Sequence, residues 1–151
     1  MSAFEKGRSI EILIVENNPA DVRLIQEALV GGRMSTRLHV ARDGAEALAF
    51  LHGEGKYTGV SGPDLILLDL NLPKKDGREV LVEIKEDENL KHIPVVVLTT
   101  SSAETDILKA YNLHANCYIT KPVDLGQFMD VVRSVAKFWI TIVNLPGVNE
   151  T

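Results

Sequence analysis

The chain has a single cysteine, Cys117, among its 151 residues. No disulfide can close within it, and no cysteine zinc cluster can form. The four histidines, His39, His52, His92 and His114, are scattered without ligand spacing, which gives no imidazole metal site. Positive charge is also in deficit. Sixteen Lys and Arg against 21 Asp and Glu leave a formal net charge of −5, whereas a surface that coats nucleic acid is basic. No apolar run approaches the ~20 residues that cross a bilayer. The first eight residues hold no apolar signal core. A cytoplasmic protein with neither nucleic acid nor membrane as partner is the expectation. Linkers, internal repeats and low-complexity stretches are missing as well, although 53–62 reads as an exposed glycine-rich loop. What remains is 45% hydrophobic and 25% charged, the balance of one ordinary domain with a core of its own.

Short apolar runs alternate with segments of helical period. Strands are expected at 10–15, 37–41, 65–68, 95–98 and 117–119. Valine and isoleucine dominate the first and fourth, as suits strands covered on both faces. Helix starts lie between them. Asn18 can cap a helix that has Pro19 at its first position. Asp43 with Glu46, Ser101 with Glu104, and Asp124 with Gln127 have capping-box spacing or close to it, and Asp76 can serve a helix from Gly77 to about Glu86. Strict alternation of strand and helix predicts an α/β fold, a doubly wound five-stranded parallel sheet of order 2-1-3-4-5.

The run of four apolar residues ending at Asp69 is the strongest local signal. It delivers a carboxylate to the carboxyl edge of the sheet, where such folds place their sites. The other strand ends carry Glu16 and Asn17, then Thr99, Thr100 and Ser101, then Thr120, Lys121 and Pro122, with Asn71 two residues beyond Asp69. Each is commonplace alone. Together they form a kit for a metal and a phosphoryl group. A carboxylate can attack phosphorus to give an acyl phosphate. Neighbouring oxygens suit Mg²⁺. Lys121 offers a point charge, and Thr99 a hydroxyl donor.

These residues resemble the receiver domain of two-component response regulators, a flavodoxin-like fold. The matching motifs are Glu16-Asn17-Asn18-Pro19 within 12–21, the segment 69–77 from Asp69 to Gly77, 97–101 with Thr99, and 118–122 with Tyr118 and Lys121. The resemblance implies a receiver domain over 9–141 and a tail over 142–151. It implies that Asp69 accepts phosphate from a histidine kinase, with Thr99 as the hydroxyl switch, Lys121 paired with the phosphate and Tyr118 as the mobile aromatic. It also implies Mg²⁺ held by Glu16, Asn17, Asp69 and the Asn71 backbone carbonyl. More narrowly, 68–81, 95–101 and the tail resemble the small response regulators of bacterial-type phytochromes. Asn17 stands where the family usually has a second acid, so weaker Mg²⁺ binding is expected.

A phosphorylated Asp69 would bias the face formed by the helix after the fourth strand, the fifth strand and the last helix. With no output module expected beyond the receiver, the signal would pass through contacts of the domain itself or by relay of the phosphate onward. Leu125, Phe128, Val132, Val135 and Phe138 keep the spacing of a core stripe. Met129, Val131, Trp139, Ile140, Ile142, Val143 and Leu145 add apolar surface, read here as a homodimer contact of the last helix and tail. The competing readings are a phosphohydrolase with an aspartate nucleophile, a nucleotide or flavin site, and a pseudo-receiver that binds without phosphorylation. The first lacks an acid at position 71 to protonate a leaving group, so no enzyme is expected beyond slow self-dephosphorylation. The second lacks glycines after the first strand. Asn17 keeps the third open.

Overall fold

A computed structural model describes residues 9–30, 36–60, 62–99, 117–120 and 125–137. β1 (Ile10–Val15), α1 (Pro19–Val30), β2 (Thr36–Ala41), α2 (Gly44–Leu51), β3 (Leu65–Asp69), α3 (Gly77–Glu86), β4 (Val95–Thr99), β5 (Cys117–Thr120) and α4 (Leu125–Lys137) follow one another, with a short 3-10 turn at Gly55–Tyr57. The five strands form one sheet in the order β2-β1-β3-β4-β5, and every pairing is parallel. The doubly wound order expected from the alternation is the observed one. β2 to β5 each extend one residue past the apolar run at one end, because backbone pairing continues where hydrophobicity stops. For β3 and β4 those extra residues are Asp69 and Thr99.

The sheet divides the core in two, and alternation along each strand assigns the side chains. Leu13, Val15, Ile66, Leu68, Val95 and Val97 join Leu48, Leu81 and Ile84 of α2 and α3 on one face. Ile12, Ile14, Leu65, Leu67, Val96 and Leu98 join Ile25, Ala28, Phe128 and Val132 of α1 and α4 on the other. Residues of β3 are buried throughout, which is why the run has no polar alternation. Of the expected stripe on α4, Phe128 and Val132 are buried. Met129, taken as surplus surface, instead packs partly buried against the core of α1. Arg133 Nε donates to the Ala28 carbonyl at 3.3 Å, tying α4 to one of the open carbonyls at the end of α1.

The helix starts behave as their sequences require. Asn18 Oδ1 accepts from Ala20 N–H at 2.9 Å and Asp21 N–H at 3.3 Å. Asp43 Oδ1 accepts from Glu46 N–H at 2.8 Å. The returning bond differs from a standard capping box, since Glu46 Oε1 accepts from Arg42 N–H at 2.7 Å rather than from the cap residue itself. Asp76 Oδ1 accepts from Arg78 N–H at 2.7 Å. Ser101, Glu104, Asp124 and residues 138–151 lie outside the described residues. Among those described, no helix is long and apolar enough to cross a membrane.

Candidate functional site

Register builds the site. Val15 of β1 pairs with Leu68 of β3. Glu16 and Asp69 are the next residue of each chain, on neighbours about 4.8 Å apart in a sheet. Asp69 in turn pairs with Leu98 of β4, so Thr99 follows at the same edge, and Thr99 pairs with Thr120 of β5. Four strands thus end in one row, and Lys121 is the next residue after β5. Alternation puts Asp69 on the face of Leu65 and Leu67, toward α1 and α4.

Both acids are sunk into the protein: Glu16 is 1% exposed and Asp69 4%. Carboxylates are seldom buried this far without partners. Each accepts a backbone N–H from the turn that follows it. Asn18 N–H donates to Glu16 Oε2 at 3.1 Å, and Asn71 N–H donates to Asp69 Oδ1 at 3.0 Å. These bonds tie each carboxylate to the turn that follows its strand. A cation between two neighbouring carboxylates would offset their mutual repulsion. Asn17 and Asn71 are exposed beside them.

The loop between β3 and α3 is held by backbone. Leu72 N–H and Gly77 N–H both donate to the Leu70 carbonyl, at 3.2 and 3.1 Å. A Cβ on Gly77 would lie 2.3 Å from the Asp69 carbonyl oxygen, so only glycine lets α3 start against the strand end that carries the acid. Lys74 adopts φ +64°, a left-handed conformation uncommon for a residue with a side chain. Lys74 Nζ lies 3.5 Å from Asp43 Oδ2, across from the turn that opens α2.

Of the residues singled out in the sequence, Glu16, Asn17, Asp69 and Asn71 are gathered where β1 and β3 end. Thr99 and Tyr118 have their backbones fixed in β4 and β5, and their side chains are outside the description. Lys121, Thr100 and Ser101 lie outside the described residues. Sequence reasoning missed the turn at Gly44. Its signal was a glycine at the first position of a helix, where a better helix former is expected. A cavity of about 350 Å³ lined by Leu51, Pro63, Asp64, Asn89, His92 and Pro94 lies at the other end of β3 and β4, away from this rim.

The model for the response regulator receiver domain matches residues 12–133. The chain is similar to response regulator Rcp1 of Synechocystis sp., with 52% identity over 136 residues, 90% of this chain and 92% of that protein. The crystal structure of the phosphorylated cyanobacterial phytochrome response regulator RcpA superposes with a TM-score of 0.90 at 54% identity, covering 93% of this chain and 100% of that one. The Mn²⁺-bound form of response regulator Rcp1 superposes with a TM-score of 0.87 at 51% identity, covering 91% and 99%.

Proposed function

The chain belongs to the response regulator receiver family, and on that premise we propose that it accepts a phosphoryl group on Asp69 from a histidine kinase of the phytochrome type and signals by changing shape. The supporting observation is the pair of buried carboxylates, Glu16 and Asp69, one residue beyond a matched pair on adjacent strands. Similarity to a phytochrome response regulator supports the choice of kinase.

In the transfer, an Asp69 carboxylate oxygen forms a bond to phosphorus while the bond from phosphorus to the kinase imidazole nitrogen breaks. The imidazole leaves and retains the electron pair, to be protonated from solvent. The product is an acyl phosphate. Backbone N–H donation from Asn71 fixes one Asp69 oxygen, which orients the other for attack. The donor set is oxygen only and doubly negative, which fits a hard divalent cation. Glu16, Asp69, the Asn17 amide oxygen and the Asn71 backbone carbonyl would hold Mg²⁺, as a relative holds Mn²⁺. When bound, the ion supplies charge neutralisation between carboxylate and phosphoryl oxygens. Thr99, the last residue of β4, and Lys121, next in sequence after β5, supply the hydroxyl and ammonium for the phosphoryl group, and Tyr118 responds to their movement.

Asn71 carries no proton to give a leaving group, so turnover of small phosphoesters is not part of this reading. The protein acts in the cytoplasm without nucleic acid or membrane, over a receiver domain of 9–141, and pairs with a second copy through α4 and the 142–151 tail.

Incubation with phosphorylated phytochrome kinases, and separately with acetyl phosphate, tests the reading. Wild type is expected to take up label in Mg²⁺ and Asp69→Asn none. Label retained on Asp69→Asn rejects the assignment. A wild type that takes label from neither donor favours the pseudo-receiver that Asn17 keeps open.

A further inference from the structure

We propose that Gly44, on the loop side of α2, is a positioning residue for the metal-binding loop after Asp69. The proposal rests on reading the rim as a Mg²⁺-dependent phosphoryl acceptor.

Gly44 is buried, and its Cα faces the β3–α3 loop. A Cβ there would stand 2.3 Å from the Lys75 carbonyl oxygen, 2.7 Å from Lys75 Cβ and 2.8 Å from Val80 Cγ2. No carbonyl oxygen stays that close to a methyl carbon, so the loop would have to retreat. The same loop carries Asn71, whose carbonyl would bind the ion and whose N–H donates to Asp69 Oδ1. It is short and already constrained at both ends, by the Leu72 and Gly77 hydrogen bonds to the Leu70 carbonyl and by the contact of Gly77 with the Asp69 carbonyl. Lys74, at φ +64°, leaves it little unstrained freedom. A push at Lys75 therefore travels toward Asn71 rather than being absorbed by slack.

The turn that holds Gly44 is itself rigid. Asp43 caps α2 through Glu46 N–H, and Glu46 returns a bond to Arg42 N–H. Asp43 also lies 3.5 Å from Lys74 Nζ, but that lysine side chain is 73% exposed, so the ion pair contributes little. Close backbone packing at Gly44 is the stronger of the two links. Gly44 touches neither the ion nor Asp69; it acts by where it lets the loop sit.

The test measures Mn²⁺ affinity of the full unphosphorylated chain from the EPR signal of the free ion, with thermal unfolding alongside. Gly44→Ala is expected to weaken Mn²⁺ about tenfold, the scale on which supporting residues act on a metal site. Gly53→Ala is the stability control. Gly53 sits at φ +66° with only the Tyr57 carbonyl near its missing Cβ, 3.8 Å away, so alanine there strains the backbone far from the rim and should leave Mn²⁺ affinity unchanged. Wild-type affinity in Gly44→Ala, or equal losses in both variants, overturns the proposal. Should Gly44→Ala not fold, Asp43→Ala decides. Loss of the cap loosens the same turn, and a two- to threefold weaker Mn²⁺ affinity is expected, with wild-type affinity as the overturning result. A wild type that binds no Mn²⁺ rejects the reading of the rim itself, which is distinct from a failure confined to Gly44.

Discussion

Asn17 differs from its acidic neighbours in charge and in exposure. Glu16 and Asp69 are nearly fully buried, whereas Asn17 is exposed next to them. An amide oxygen can ligate Mg²⁺ but adds no negative charge, so the unphosphorylated rim holds two formal negatives where an acid would make three. Charge count is one of the ways oxygen sites tune cation affinity. Asn17→Asp is therefore expected to tighten Mg²⁺ binding by about tenfold, equivalent to ~1.4 kcal/mol. Calorimetric titration of both proteins measures it, and equal affinities would show that residue 17 serves the start of α1 instead. Asp69 was legible in the sequence because an apolar run leads straight into it. Gly44 showed locally only as a glycine at a helix start; that it packs against Lys75 depends on a segment distant in the chain.

At the scale of elements, the caps at Asn18, Asp43 and Asp76 could be read directly, since a cap is a contact between residues two or three apart. The partner of a helix end is different in kind. Lys85, in the last turn of α3, donates from Nζ to the Ile93 carbonyl at 3.3 Å, just ahead of β4. Burial pushes its ammonium below the usual lysine value of 10.5. The folded protein thus releases this proton at lower pH than the unfolded chain does. Between the folded value and 10.5 the unfolded state holds more protons, so this group's contribution to stability rises with pH there. At neutral pH it is a cost. Lys85→Met removes the term. Denaturant midpoints should therefore favour the variant more at pH 7 than near pH 10.5. A difference between the two proteins that stays constant across that range would exclude a role for burial of the charge.

For the whole molecule, the sheet separates two apolar layers, and the site lies on the one edge where four strand ends meet. Nothing local obliges Glu16 and Asp69 to meet; the parallel register of β1 with β3 brings them together. Assembly belongs to this scale too. The proposed dimer draws on the apolar surplus of the last helix and tail, and α4 already spends Phe128, Met129 and Val132 on its own core. Trp139, Ile140, Ile142, Val143 and Leu145 follow Lys137 in the sequence, so removing them tests the proposed pairing. Sedimentation velocity at several concentrations should show a dimer that truncation after Lys137 abolishes. A monomer throughout, with or without truncation, would count against the homodimer.

Fold class, strand order and the acids at the strand ends were determined by sequence alone, because hydrophobic period, caps and chain alternation are short-range properties that admit few topologies. Tertiary structure decided how deeply Glu16 and Asp69 are buried, which N–H each accepts, and that Gly44 bears on the loop after Asp69. Those depend on distances between segments far apart in the chain, and such distances exist only once the sheet has set its register.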